Sequence, residues 1–125
     1  MSDFAALTSA EEKLAELIWA FAPIGSMELV SLALEKLDWK KSTTFTVLRK
    51  LCHKSVFKNE NAVVSVLLTR DELLARNSRQ YVEETFGGSL PRFITSFFGG
   101  KQLSEEQISE LKSLIAEHEA GGKHE

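Results

Sequence analysis

Residues 39–54 have the sequence WKKSTTFTVLRKLCHK, which gives the clearest helical pattern in the chain. On a helical wheel with about 100° per residue, its apolar and polar side chains separate into two faces. We therefore predict a helix over residues 41–54 that packs through one face only. The packing face, within about 60° of Leu48, holds Thr44, Phe45, Leu51 and Cys52, and the opposite face holds Ser42, Thr43, Thr46, Arg49, Lys50, His53 and Lys54.

Positive charge is concentrated in the same part of the chain. The whole chain of 125 residues has a formal net charge of −3, which by itself argues against a nucleic-acid partner. Between Asp38 and Lys58, however, there are six basic residues and one acidic residue. Salt limits the reach of distant acidic residues to about 8–10 Å, so a polyanion can still be attracted to this segment. The six basic residues are Lys40, Lys41, Arg49, Lys50, Lys54 and Lys58.

The composition excludes several classes of protein. The longest apolar stretches, residues 17–24 and 62–68, are much shorter than the roughly 18–20 residues that cross a bilayer. An acidic residue stands near the N-terminus where a secretory signal would have basic ones, so we expect a cytoplasmic protein without direct membrane binding. The single cysteine, Cys52, allows neither an internal disulfide nor a cysteine-rich zinc site. We expect no cofactor, no metal and no enzymatic activity.

The elements around this helix indicate a winged helix-turn-helix over residues 1–68. Thr8 and Glu11 form a capping box that starts a first helix, and Pro23 with Gly25 ends it. A second helix starts at Ser26. After the basic helix, two β-branched runs flank Asn59–Asn61, which predicts a short hairpin. Three helices followed by a hairpin is the element order of a winged helix.

Residues 69–125 are predicted to form a helical dimerisation region, so the fold class is mainly α with a small β-hairpin. A capping box at Thr69–Glu72 starts a helix that ends near Phe86, where Gly87–Gly88 follows. Exposing the large apolar residues of this region in a monomer would be costly, which favours a twofold dimer. Alternatively, they complete the core of the winged helix. These residues are Tyr81, Phe86, Leu90, Phe93, Ile94, Phe97, Phe98, Ile108, Leu111, Leu114 and Ile115.

The polar face of the basic helix suggests double-stranded DNA as a partner. An α-helix fits the major groove, where Ser42, Thr43 and Thr46 would meet bases or phosphates. The basic residues, together with His53, would neutralise or contact the backbone. The alternative is a winged-helix module that binds an acidic protein and has lost specific DNA binding. Glu60, an acidic residue in the hairpin, keeps that alternative open.

Several segments together resemble a known family over almost the whole chain. These segments are LTSAE at 7–11, LIW at 17–19, WKKSTTFTVLRKL at 39–51, Tyr81 to Gly88, FITSF at 93–97, Leu103 and 108–111. Together they are similar to the BlaI/MecI/CopY penicillinase-repressor family. The resemblance implies an N-terminal winged helix that binds a palindromic operator and C-terminal helices that form a homodimer. It thus implies a transcriptional repressor.

Two branches of that family respond to different inducing signals. The copper-responsive branch ends in paired cysteine motifs, which a chain with one cysteine lacks, so copper sensing of that kind is unsupported. In the antibiotic-resistance branch, a membrane-spanning zinc metalloprotease sensor triggers cleavage in the C-terminal half and releases the repressor from DNA. By this resemblance the cleaved bond would join Ser96 and Phe97. A Ser-Phe pair near the end of an apolar helix is more often explained by packing alone.

Overall fold

The computed structural model describes residues 6–122; the outermost parts of the two predicted regions, residues 1–5 and 123–125, lie outside the described residues. Six helices and one small sheet confirm the predicted class, mainly α with a β-hairpin. None of the described helices is both long and apolar enough to span a bilayer. In chain order the elements are α1 (Ser9–Phe21), β1 (Ile24–Gly25), α2 (Ser26–Leu37), α3 (Lys41–His53), β2 (Phe57–Glu60), β3 (Val63–Val66), α4 (Arg70–Phe86), α5 (Leu90–Phe98) and α6 (Glu105–Gly122).

Both predicted capping boxes start a helix in the structure. At α1 the hydroxyl of Thr8 accepts from the N–H of Glu11, whose carboxylate accepts from the N–H of Thr8. Thr69 and Glu72 make the same reciprocal pair at α4. Because each pair satisfies two backbone donors that the first turn leaves open, the sequence signal locates the helix starts well. Gly87 ends α4 at φ 59°, a left-handed conformation that glycine adopts without a side-chain clash.

The sheet differs from the predicted hairpin in two respects. The turn consists of Asn61 and Ala62, at φ 52° and 60°, whereas we predicted it at Asn59–Asn61. Two residues with positive φ match the twist of a tight hairpin, and the carbonyl of Ala62 is held by the N–H of Ser26 at 2.8 Å. The sheet also has a third strand, because β1 pairs with β3 in the order β1-β3-β2. The sequence at β1 signals only the end of a helix.

The core lies between α1, α2, α3 and the sheet, and α4 contributes one residue to it. Leu73 of α4 is only 4% exposed and packs with the winged-helix core. Two details of the predicted helix faces need correction. The spacing of Leu14, Leu17, Ile18 and Phe21 predicts that all four lie on the packing face of α1, but Phe21 is exposed. The packing face of α3 is centred on Val47, Leu48 and Leu51. Phe45 and Cys52 are half-buried because they line a cleft towards the hairpin.

α5 and α6 are poorly covered by the rest of the chain. No described residue of α5 is buried, and every described side chain of α6 is exposed. Tyr81, Phe86 and Phe93 contact one another edge-on, with ring centroids 5.6–6.1 Å apart. None of the apolar residues from 81 to 115 packs against the winged-helix core. The alternative that they complete this core therefore does not apply.

Candidate nucleic-acid interface

α3 presents a continuous hydroxyl and cationic surface to solvent. Opposite this surface, Thr44, Val47, Leu48 and Leu51 are buried, which fixes the rotation of the helix about its own axis. The predicted polar face is therefore exposed over three turns. Its exposed members are Lys41, Ser42, Thr43, Thr46, Arg49, Lys50 and His53, and Lys40 is exposed just before the helix.

The N-terminus of α3 is suited to an anion. Lys40 occupies the N-cap position and makes no side-chain capping hydrogen bond, and the first turn contains no acidic residue. The backbone N–H groups of that turn are thus open to an external acceptor, and the positive end of the helix dipole adds to the charge of Lys40 and Lys41. This end of α3 contrasts with α1 and α4, whose first turns are capped and acidic. The arrangement favours binding of a phosphate group.

Lys54, predicted to neutralise the DNA backbone, has a different place in the structure. Its Nζ lies 2.6 Å from Oε1 of Glu11 and 3.4 Å from the carbonyl oxygen of Ala6. The carboxylate of Glu11 is 3% exposed and the side chain of Lys54 18% exposed. This ammonium group compensates a buried carboxylate, so Lys54 joins the end of α3 to the start of α1 and is less available to DNA than the exposed cations of α3.

The same contacts determine the acidity of Glu11. Burial opposes ionisation of its carboxyl group, but the hydrogen bonds from Lys54 and from the N–H of Thr8, with the charges of Lys54 and Lys50, outweigh burial. The pKa of Glu11 therefore lies below its ordinary value of 4.5. A carboxyl group whose pKa is lowered by folding stabilises the protein above the unfolded-state pKa. That stabilisation is lost as the pH falls through the folded-state pKa.

Replacing Lys54 by methionine is expected to lower the free energy of unfolding by about 2–3 kcal/mol at pH 7, because a buried carboxylate loses its cation. Because the side chain of Lys54 is still 18% exposed, this loss of unfolding free energy is smaller than for a fully buried ion pair. Lys41→Met, a change of an exposed lysine on the same helix that does not act on Glu11, should cost less than about 0.5 kcal/mol. Urea denaturation measures both variants. Equal stability of Lys54→Met and the unmodified protein would show that the ion pair does not hold α3.

The hairpin is a weaker candidate for DNA contact than α3. Nζ of Lys58 lies 3.0 Å from Oε1 of Glu60, so the one basic side chain of the hairpin is paired. Asn59 and Asn61 are exposed beside it. Between α3 and the hairpin lies a cleft of about 370 Å³ whose wall includes Phe45 and Cys52. Burial raises the pKa of the Cys52 thiol, which keeps it protonated and unreactive near neutral pH.

The predicted dimerisation residues form an apolar surface on α4, α5 and α6. Phe86, Phe93 and Ile94 are half-buried, and the other members are exposed. A cleft of about 380 Å³ separates α5 from α6 and is lined by Phe93, Phe97, Leu111 and their neighbours. Ser96 and Phe97 lie in the last turns of α5, and both are exposed. Among residues 6–122 there is no group of three His, Cys, Asp or Glu that could hold a metal ion.

The contacts that join α4 to the winged helix were not predicted from the sequence. Arg70 of α4 is bound by Glu16 of α1, and the indole N–H of Trp19 donates to the carbonyl of Leu68 at 2.9 Å. These partners are 54 and 49 residues apart in the chain. Helix periodicity and capping motifs report only neighbours within a few residues, so neither signal could identify such a pair.

Comparison with known proteins relates nearly the whole chain to one family. The model of the family described as penicillinase repressor matches residues 7–117. A penicillinase repressor of Bacillus licheniformis is 22% identical over 116 residues, which cover 90% of this chain and 91% of that protein. The match extends over both the winged helix and α4 to α6.

Proposed function

The chain belongs to the penicillinase repressor family, and from this we propose that it is a transcriptional repressor that binds a palindromic DNA operator sequence-specifically as a homodimer. The observation that carries the proposal is the exposed face of α3. This face combines hydroxyl groups with cations along one side of a helix that is fixed by its buried side. A helix of that kind fits the major groove of B-form DNA.

The side chains of α3 divide into two roles. Ser42, Thr43 and Thr46 are short donors and acceptors near the start of the helix, where a recognition helix approaches base edges. Lys40 and Lys41 lie before them and Arg49 and Lys50 lie beyond them, and these four cations contact phosphates. His53, at the last position of α3, contacts the DNA backbone. Lys58 adds little because Glu60 already pairs with it.

The uncovered surface of α5 and α6 supports the proposal of a homodimer. Large apolar side chains that are exposed together mark an interaction surface in a water-soluble protein. A closed twofold dimer covers the same surface on both protomers and presents two copies of α3. Each copy would read one half-site, and the half-site centres would lie about 34–36 Å apart or a multiple of it.

Release by proteolysis is a further part of the proposal. A membrane metalloprotease sensor would trigger cleavage of the bond between Ser96 and Phe97. Both residues are exposed in the last turns of α5, and cutting there detaches α6 from the rest of the chain. Losing α6 removes Ile108, Leu111, Leu114 and Ile115 from the proposed dimer surface. The two copies of α3 would then no longer be held together.

Selection from a random library of duplexes tests the proposal. The full chain is incubated with the library, bound duplexes are amplified, and the cycle is repeated. We expect an enriched sequence with twofold symmetry. If no sequence is enriched while an acidic protein binds the same face of α3, the chain is the interaction module and the repressor proposal is wrong.

Two substitutions separate base contacts from phosphate contacts. Thr46→Ala is expected to weaken binding to the selected duplex by about 1–3 kcal/mol and to relax preference at one position of each half-site. Lys50→Ala should weaken binding to all duplexes alike and lower the salt dependence. Lys36→Ala, a change of an exposed lysine on α2, is the control and should leave binding unchanged. Fluorescence anisotropy with single-base variants of the duplex measures these effects.

If Thr46→Ala kept the sequence preference of the unmodified protein, Thr46 would not be a base contact.

A further inference from the structure

The first two turns of α4 contact the winged helix through one face of α4. Arg70, Leu73 and Arg76 recur every three residues, so they lie on the side of α4 that meets α1 and α3. Each of the three contacts a different part of the winged helix. α4 also leads directly to Tyr81 and Phe86 of the proposed dimer surface. The angle at which α4 leaves the winged helix therefore connects the two regions.

The first contact is a cluster of Glu16, Trp19 and Arg70. The guanidinium of Arg70 binds both carboxylate oxygens of Glu16, with Nε 3.0 Å from Oε2. Its Cζ lies 5.2 Å from the ring centroid of Trp19, within the range of a cation–π contact. The indole N–H of Trp19 donates to the carbonyl of Leu68 at 2.9 Å. The cluster thus holds the residues on both sides of the N-cap of α4.

The second and third contacts extend the attachment along α4. Leu73 is buried among the core side chains. Nη2 of Arg76 donates to the carbonyl oxygen of Lys54, the C-cap residue of α3, at 3.4 Å. On the other side of Thr69, the N–H groups of Leu67 and Leu68 both donate to the carbonyl of Val56 at 3.0 Å. The chain is therefore held before and after the point where α4 begins.

A small rotation of α4 would have a large effect at its far end. The 17 residues of α4 span about 25 Å, so a rotation of about 10° at its start moves its end by about 4 Å. That displacement exceeds the rise of about 3.4 Å per base pair of DNA. The distance between the two copies of α3 consequently depends on the contacts at the start of α4.

We infer that the cluster of Glu16, Trp19 and Arg70 sets the half-site spacing that the dimer accepts. The inference rests on the proposed function, and the three residues are positioning residues that do not contact DNA. An exposed ion pair adds little to stability, so its removal leaves the fold intact. Without it, α4 keeps Leu73 and Arg76 as contacts with the winged helix, and its angle is fixed less narrowly. The dimer then tolerates operators whose half-sites are one base pair closer or farther apart.

The test uses duplexes derived from the sequence that the unmodified protein selects from a random library. One series lengthens or shortens the central spacer by one and two base pairs, and a further duplex carries a single half-site. We expect the unmodified protein to lose at least tenfold in affinity for each base pair of change. Arg70→Ala and Glu16→Gln should lose threefold or less. Binding to the single half-site should remain within twofold for all of them.

Control variants separate positioning from a general loss of structure. Arg79→Ala removes an exposed arginine of α4 outside the cluster and should keep the spacing profile of the unmodified protein. Arg70→Lys retains a cation beside Glu16 and Trp19 and should restore part of the discrimination. Unchanged profiles in Arg70→Ala and Glu16→Gln overturn this inference alone. Failure of the unmodified protein to select any sequence overturns the proposed function, and the inference with it.

Discussion

We expect a chain that ends at Ser96 to sediment as a monomer and the full chain to sediment as a dimer. The truncation removes Phe97, Phe98 and all of α6, whose apolar side chains are exposed in the protomer. Burying one large apolar side chain contributes about 1.5–3 kcal/mol, so several of them decide whether a dimer forms. Sedimentation velocity over a range of concentrations measures the change. A truncated chain that remains dimeric would contradict the assignment of α6 to the interface.

A single substitution in the full chain tests the same surface without truncation. Ile115 is 65% exposed, so aspartate at this position costs the isolated protomer little stability but places a charge in the proposed interface. Leu34 of α2 is 57% exposed and lies outside that interface. Leu34→Asp is therefore a matched control. We expect Ile115→Asp to be monomeric and Leu34→Asp to be dimeric, with circular dichroism showing equal helicity.

Loss of the dimer should also weaken operator binding strongly. When two copies of α3 are linked, binding of the first raises the effective concentration of the second at its half-site, which strengthens binding by about 10²–10⁴-fold. Ile115→Asp should lose this gain on a duplex with two half-sites. It should bind a single half-site as the unmodified protein does. Reduced binding to the single half-site as well would indicate damage to the winged helix.

The second large effect is the response of DNA binding to salt. Each protomer exposes Lys40, Lys41, Arg49 and Lys50 on or beside α3, so a dimer carries eight such cations. A protein with about 6–10 phosphate contacts loses about 10³–10⁵-fold in affinity between 50 and 200 mM salt. We expect a loss in that range. A loss of less than tenfold would show that α3 does not meet the DNA backbone.

Paired variants identify the cations that cause this response. Removing Arg49 and Lys50 together takes four cations from the dimer and should make the slope of log affinity against log salt shallower by about 3.6. Lys58→Ala removes a cation that Glu60 already compensates and should change the slope by less than about one. A larger change for Lys58 than for Arg49 and Lys50 would move the interface from α3 to the hairpin.

Local signals allowed most of the helices to be predicted. The reciprocal caps at Thr8 and Thr69 locate two helix starts, and Gly87 locates the end of α4, since these motifs satisfy backbone groups within one turn. The two faces of α3 follow from its periodicity, and the burial of Leu48 and Leu51 confirms them. Such features depend on neighbours in sequence and are therefore visible without the structure.

The remaining features depend on distant partners. Pairing of β1 with β3 requires Gly25 to lie beside Val63, which no local pattern at either position announces. The pairing of Lys54 with Glu11, 43 residues away, likewise gives a cation of the basic helix an internal partner that the sequence pattern does not indicate. Charge patterns indicate which surface is basic. They do not indicate which of its cations already has a buried partner.

Sequence-specific binding through α3 is tested most simply by a competition between two duplexes of equal length and composition. One carries the sequence selected from the random library, and the other carries its scrambled form. At physiological salt we expect the full chain to bind the selected duplex at least 10³-fold more tightly, the lower limit for specific DNA-binding proteins. Equal affinity for the two duplexes would contradict the claim.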